Sequence, residues 1–150
     1  MHKGDVVPDF ELRDQTGTPR QLSEFLAGGP VVLFFYPAAM TYGCTKESCH
    51  FRDLSAEFGA VGAQVVGISA DQVEKQKQFD EKESLGLPLL SDPDRTVAAQ
   101  LGARRGFGPN KRTTFVIDTD RSILDVFHSE VSMGSHADKA LALLKARSAA

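Results

Sequence analysis

A six-residue apolar run, Val31 to Tyr36, is followed by a proline and then by a helical pattern that contains two cysteines. The run is rich in β-branched and aromatic residues, which is typical of a strand buried on both faces of a sheet. Pro37 ends the run because proline has no backbone N–H to donate to a β-ladder. A helix then begins near Tyr42, which puts Cys44 in its first turn.

This position predicts a reactive cysteine. The first turn of a helix leaves backbone N–H groups without partners and carries roughly half a positive charge. Both effects favour a thiolate over a thiol, and a thiolate where a strand meets a helix is a reachable nucleophile. The alternative is that Cys44 is a small buried hydrophobic residue, as most free cysteines are. Its placement alone leaves both interpretations open.

Length and composition narrow the class of protein. The 150 residues are most simply one domain, covering residues 1–150, with a formal net charge of −3. That charge does not favour binding to nucleic acid or to an anionic membrane surface. No apolar run approaches the ~20 residues of a membrane span, and the N-terminal sequence has no apolar signal segment. We therefore expect a cytoplasmic protein.

Periodicity and turn residues predict alternating strands and helices. The predicted strands cover residues 9–13, 18–22, 31–36, 64–69, 88–90, 113–118 and 122–127. The predicted helices are a short one capped by Ser23, then about 43–58, 71–83, 94–101 and a last one capped by Ser135. Residues 103–111 are predicted to form an exposed loop. Helices between apolar strands imply parallel crossovers, and the hairpins add antiparallel pairs, so we expect a mixed α/β fold.

Cys44 and Cys49 are five residues apart, whereas redox and metal pairs are more often spaced C-x-x-C. On an ideal helix this spacing separates the Cα atoms by about 8.6 Å, beyond the limit of about 7 Å for a disulfide. If the two residues form a disulfide, the first helical turns must unwind. A zinc site that includes His50 is an alternative, but adjacent helical residues diverge by about 100° and no second ligand pair is evident.

Three segments together resemble a known family. The motif Pro37-x3-Thr41-x2-Cys44 resembles the active-site signature of peroxiredoxins, and FFYP…T-x-GCTKE-x-C-x-FRD resembles the peroxiredoxin Q (bacterioferritin comigratory protein) subgroup. The opening G-D-x-x-P-D-F-E-L-x-D-x-x-G and the later R-T-T-F-V-I-D, residues 112–118, also match. The resemblance implies a thioredoxin-like fold, with a mixed central sheet flanked by helices and an N-terminal β-hairpin.

The resemblance also implies roles in a peroxidase. Cys44 would be the peroxidatic nucleophile, and Cys49 would resolve its sulfenic acid as an intrachain disulfide. Thr41 would offer a hydroxyl to the peroxide, and the backbone N–H groups of Gly43 and Cys44 would be further donors. Arg112 would lie beside Cys44 and stabilise both the thiolate and the leaving oxygen.

Five more residues have two interpretations each. Pro37 would shield the sulfur, or it simply ends the strand. Glu47 would orient an active-site arginine such as Arg112, or it is an acid favoured near a helix start. Met40 and Phe107 would line an apolar entrance, or they are ordinary packing residues. Tyr42 stands where the subgroup often has proline, and it would loosen the turn or line the mouth of the site.

The resemblance implies peroxide as substrate and thioredoxin, or a glutaredoxin, as reductant, with no flavin, haem or metal. Resolution within one chain does not require a dimer, so we expect a monomer. Two alternatives use the same cysteine pair. One is a thioredoxin-like disulfide reductase, which the five-residue spacing disfavours, and the other is a redox-sensing or chaperone-like protein whose helix unwinds on oxidation.

Overall fold

The structure is a computed structural model that describes residues 1–103, 110–129 and 134–149, with the backbone alone for residues 42, 148 and 149. The strands are β1 (Glu11–Arg13), β2 (Pro19–Gln21), β3 (Val31–Phe35), β4 (Gln64–Ser69), β5 (Leu89–Ser91), β6 (Thr113–Ile117) and β7 (Ile123–His128). The helices are α1 (Leu22–Leu26), α2 (Tyr42–Asp53), α3 (Ser55–Ala60), α4 (Val73–Glu83), α5 (Thr96–Leu101) and α6 (Ser135–Ala149). None of the helices in the described ranges is both long and apolar enough to span a bilayer.

The strands form one mixed sheet in the order β2-β1-β5-β4-β3-β6-β7. Strands β3, β4 and β5 run parallel, joined by helical crossovers, as the alternation of apolar strands and helices predicts. The β6–β7 hairpin lies antiparallel to β3, and the N-terminal β1–β2 hairpin lies antiparallel to β5. The end of β3 that leads to Cys44 therefore lies in the middle of the sheet.

Alternation along β3 divides the core into two layers, because successive side chains of a strand point to opposite faces. Val31, Leu33 and Phe35 pack with α1 and α5 on one face. Val32, Phe34 and Tyr36 pack with α2, α3, α4 and α6 on the other face. All the side chains of β3 are buried, which explains why its sequence is a continuous apolar run.

An aromatic stack attaches α2 to the sheet. The rings of Phe34 and Phe51 lie 4.4 Å apart between centroids and are nearly parallel. Gly67 on the neighbouring strand makes room for this stack, since a Cβ there would come within 2.8 Å of the Phe34 ring. The glycine in β4 is therefore required by packing against the helix that carries the cysteines.

Ser135 does not cap the last helix but is its first residue. Two other local predictions were also wrong. The helix predicted over residues 43–58 is divided at Leu54, where the backbone leaves helical geometry (φ −97°, ψ 5°) between α2 and α3. Ser23 does not cap the first helix, which begins at Leu22; its hydroxyl instead donates to the Asp9 carboxylate at 2.8 Å. In both cases packing and a partner distant in sequence override a local signal.

Candidate active site

The turn from Pro37 to Thr41 connects β3 to α2 and sets the first helical turn. Thr41 is the N-cap residue, but its hydroxyl donates to the Ala38 carbonyl at 2.8 Å and makes no capping hydrogen bond. The first helical hydrogen bond runs from the Thr45 N–H to the Thr41 carbonyl at 2.8 Å. The N–H groups of Gly43 and Cys44 precede that bond, so they have no acceptor within the helix.

Met40 has a left-handed backbone conformation, with φ at +66°. Such a conformation costs a non-glycine residue about 1–3 kcal/mol and persists where neighbouring contacts determine it. Here the N–H of Ala39 donates to the Asp71 carboxylate at 2.7 Å, next to the Thr41–Ala38 contact. The turn is therefore anchored on both sides of Met40.

A buried chain of hydrogen bonds supports Asp71. The Ser69 hydroxyl donates to Asp71 Oδ2 at 2.6 Å, and the Gln76 amide donates to the Ser69 hydroxyl at 3.0 Å. The Tyr36 hydroxyl donates to the Gln76 carbonyl. Burial raises the pKa of Tyr36, which therefore keeps its proton and remains a donor. Tyr36, the residue after β3, is thus connected through Gln76 of α4 to Asp71, which anchors the turn between β3 and α2.

The Cys44 sulfur meets an arginine. Arg112 Nη2 donates to Cys44 Sγ at 3.4 Å. The sheet explains this approach, because Thr113 lies opposite Phe35 in the antiparallel β3–β6 ladder and carries Arg112 to the carboxyl end of β3. Burial alone would lower the pKa of Arg112, but the Cys44 sulfur and the Glu47 carboxylate outweigh it, and the pKa is raised. The guanidinium is therefore charged beside the sulfur.

Glu47 accepts a hydrogen bond from the second amino group of the Arg112 guanidinium. Arg112 Nη1 donates to Glu47 Oε1 at 3.0 Å, and the carboxylate is fully buried one helical turn after Cys44. A charged group placed near a helix start only to suit the helix dipole would be solvated. The structure instead brings Cys44, Glu47 and Arg112 together in one buried cluster.

Cys49 has different surroundings. It is half-buried further along α2, with Sγ 3.7 Å from Glu83 Oε2 at the end of α4. Burial raises the pKa of Cys49; the Glu83 carboxylate adds to this and Arg52 opposes it. Neither cysteine is in a disulfide, and both lie within the intact helix.

Not every expectation about access to the site is met. Cys44 was expected to be reachable, but 0% of its surface is exposed in this conformation. Pro37 lies two residues after the end of β3 and is half-buried. The side chain of Tyr42 and all of Phe107 lie outside the described residues, so their predicted places at the entrance stay predictions.

No group of three or more potential ligands within the described ranges could hold a metal ion.

Sequence reasoning missed two buried residues at or near the site and the backbone conformation of Met40. Gln76 is fully buried three residues from both Val73 and Phe79, so helical spacing could have placed it on the inner face of α4. His136 is fully buried four residues before the buried Ala140 of α6, which is the same signal. The left-handed backbone of Met40 has no signal in the residue type.

Comparison with known proteins identifies the family. Residues 3–126 match the AhpC/TSA family. Peroxidoxin BcpB from Mycobacterium tuberculosis, known as a crystal structure, is 65% identical with a TM-score of 0.95, and the match covers 97% of each chain. The chloroplastic peroxiredoxin Q of Sedum lineare is 42% identical over 145 residues, 95% of this chain and 77% of that protein. Peroxiredoxin Q from Xanthomonas campestris is 31% identical with a TM-score of 0.85, covering 93% of this chain and 91% of that one.

These matches confirm the thioredoxin-like fold, the N-terminal hairpin and the subgroup that the sequence motifs predicted. They extend over nearly the whole chain rather than over the cysteine region alone. The chain belongs to the AhpC/TSA family, within the peroxiredoxin Q subgroup, and is a peroxidase.

Proposed function

We propose that the protein reduces hydrogen peroxide and organic hydroperoxides with Cys44 as the nucleophile, and that Cys49 and then thioredoxin return it to the reduced state. The observation that carries this proposal is the contact of 3.4 Å between the Arg112 guanidinium and Cys44 Sγ in a buried first helical turn. A cation and a helix N-terminus both stabilise a thiolate, and the thiolate is the nucleophilic form of cysteine.

In the first step the Cys44 thiolate attacks one peroxide oxygen, and the O–O bond breaks. The sulfur becomes a sulfenic acid, and the second oxygen leaves as alkoxide or hydroxide that takes up a proton to give alcohol or water. Negative charge moves from sulfur to that oxygen in the transition state. Arg112, the Thr41 hydroxyl and the N–H groups of Gly43 and Cys44 are the donors that would stabilise the charge there. Pro37 would shield the sulfur without adding a competing donor.

In the second step the Cys49 sulfur attacks the sulfenic sulfur of Cys44. An S–S bond forms, the S–OH bond breaks, and the hydroxyl leaves as water with the proton given up by Cys49. Five residues of intact helix keep the two Cα atoms about 8.6 Å apart, too far for a disulfide. The first turns of α2 must therefore unwind during this step.

An external dithiol must then reduce the disulfide. We propose thioredoxin, with a glutaredoxin as the alternative, in a reducing compartment such as the cytoplasm. The half-buried position of Cys49 supports this route, since the sulfur nearer the surface is the one a protein dithiol can reach. Because both cysteines belong to one chain, the cycle needs no second subunit, and we propose a monomer.

A coupled assay tests the proposal. The protein is given thioredoxin, thioredoxin reductase and a series of peroxides, and the consumption of reducing equivalents is followed. We expect steady turnover by the wild type and none by Cys44→Ser. Cys49→Ser retains the nucleophile, so it should consume about one peroxide per chain and then stop.

Three results would contradict the proposal in different ways. Normal cycling of Cys49→Ser on thioredoxin would exclude Cys49 as the resolving residue. Turnover with glutaredoxin but not thioredoxin would correct the reductant alone. Binding of unfolded client proteins by the oxidised form, with negligible steady-state turnover, would favour the redox-sensing or chaperone-like alternative.

A further inference from the structure

We infer that His136 is a positioning residue of this site, which fixes Glu47 so that Arg112 stays directed at Cys44. The inference rests on the proposed peroxidase function, since it concerns the reactivity of Cys44. His136 lies on α6, far in sequence from both cysteines, and no family motif quoted above includes it. The role would make α6 part of the active site rather than only a packing helix.

The geometry forms a continuous chain from β6 to the sulfur. Thr114 Oγ1 lies 2.7 Å from His136 Nδ1. His136 Nε2 lies 2.9 Å from the Ser129 carbonyl oxygen and 3.7 Å from Glu47 Oε2. Glu47 then accepts from Arg112, which donates to Cys44. The side chains of Thr114, His136 and Glu47 are fully buried, so water does not screen these interactions.

The Ser129 contact assigns a proton to the ring. A backbone carbonyl oxygen can only accept, so His136 Nε2 carries a hydrogen in either charge state of the imidazole. The Ser129 carbonyl accepts this N–H, and Glu47 Oε2 lies 3.7 Å from the same nitrogen, so the partial positive charge of the N–H acts on the carboxylate at close range without a hydrogen bond. The Thr114 hydroxyl holds the opposite side of the ring.

This arrangement explains how a carboxylate can be buried beside a reactive sulfur without pulling the guanidinium away from it. A buried charge is stable only when several groups share it. With His136 on one side, Glu47 holds one fixed orientation and takes one branch of the Arg112 fork. The other branch is left to donate to Cys44. Without the His136 N–H, we expect Glu47 to reorient and Arg112 to move with it.

The test uses the full chain with Cys49→Ser, so that Cys44 is the sole thiol. Two quantities are measured: the second-order rate with hydrogen peroxide, and the pH at which the ultraviolet thiolate absorbance of Cys44 appears. His136→Leu removes the N–H beside Glu47, and we expect a rate about tenfold lower because Arg112 is then no longer held toward Cys44. We also expect its thiolate to appear at higher pH. His136→Gln keeps an N–H near the same point and should recover most of both properties.

Leu141→Ala is the matched control, because it damages the buried face of the same helix without touching the polar chain. It should lower Tm while leaving the peroxide rate and the thiolate titration as they are. If His136→Leu does not fold, Thr114→Val against Thr114→Ser takes its place: the valine variant removes the hydroxyl that holds the ring and should be slower than the serine variant.

Three outcomes would overturn the inference. His136→Leu could have the same rate and titration as the parent, His136→Gln could be as impaired as His136→Leu, or Leu141→Ala could be as slow as either variant. In the substitute pair, equal rates for the two Thr114 variants would do the same. If the parent protein does not react with peroxide, the proposed function fails, but the thiolate titration still decides whether His136 acts on Cys44.

Discussion

The two cysteines of α2 are only five residues apart, yet they have opposite electrostatic surroundings. Cys44 is fully buried in the first helical turn, and its sulfur lies 3.4 Å from a guanidinium. Cys49 is half-buried in the middle of the helix, and its sulfur lies 3.7 Å from the Glu83 carboxylate. A guanidinium donates to the Cys44 sulfur, whereas burial and the Glu83 carboxylate raise the pKa of Cys49, with Arg52 opposing them.

This difference between the two cysteines predicts which of them reacts first with peroxide. A protein with two equally ionised thiols could be attacked by peroxide at either sulfur. Here only Cys44 lies at a helix N-terminus with a guanidinium donating to its sulfur, so peroxide should react there first. Burial and the Glu83 carboxylate raise the pKa of the second thiol, and unwinding of α2 would break its contact with Glu83. The spacing of the cysteines alone does not contain this distinction, because their charged partners come from two other elements, α4 and the residue before β6.

The largest effect is expected when the cation beside Cys44 is removed. Arg112→Met should slow the reaction of Cys44 with peroxide by about a hundredfold or more, the usual cost of losing a donor to a developing oxyanion. Stopped-flow rates in the Cys49→Ser background measure it. Arg52→Met is the matched control, since it removes a cation near Cys49 instead and should change this rate little. Equal losses in the two variants would mean that general charge, rather than the Cys44 contact, controls the rate.

A second test loosens the turn that carries Cys44. Asp71→Ala removes the acceptor for the Ala39 N–H, and we expect peroxide reduction to slow by about fivefold while alkylation of Cys49 is unchanged. Asp94→Ala, which removes an exposed carboxylate, is the control. If Asp71→Ala also changes the alkylation of Cys49, the two halves of α2 are not independent.

A third test removes the anion beside Cys49. In the Cys44→Ser background, Glu83→Gln should lower the pKa of Cys49 and speed its alkylation near neutral pH by about threefold. The gain is modest because a thiolate becomes less nucleophilic as its pKa falls. Glu81→Gln on the same helix is exposed and should leave the alkylation rate as it is. A slower Glu83→Gln variant would reverse the assigned effect of the carboxylate.

The smallest expected effect is on stability at alkaline pH. The pKa of Cys49 is raised in the folded state, so its contribution is fully present below the unfolded pKa of about 8.5 and is lost as pH rises through the folded value. Tm of the wild type should therefore fall above that pH by about 1 °C more than Tm of Cys49→Ser. Calorimetry at a series of pH values measures the difference, and a larger fall in Cys49→Ser would contradict it.

Local pattern was enough to predict the scaffold of the site. The run from Val31 to Tyr36 identified a strand buried on both faces, and Pro37 marked its end. The helical start near Tyr42 then placed Cys44 in a first turn, where the structure has it. These predictions succeeded because strand burial and helix starts depend on residues close together in sequence.

Contacts between distant elements could not be predicted in the same way. His136 and Gln76 share helix faces with apolar residues, so their burial had a signal, but their partners on β4 and α2 depend on how the helices pack. The enclosure of Cys44 likewise depends on the whole layer beneath α2. Only the family motif connected Arg112 with Cys44, across sixty-eight residues.

The stack of Phe51 on Phe34 bounds how far oxidation can disturb the chain. Ahead of this ring, α2 packs Cys44 into the core layer and makes polar contacts at the two sulfurs, and formation of the disulfide would break those polar contacts. Beyond it, the break at Leu54 separates α3, whose Phe58 stays packed on the sheet. Oxidation would therefore unfold only the N-terminal end of α2 and leave the rest of the core packed.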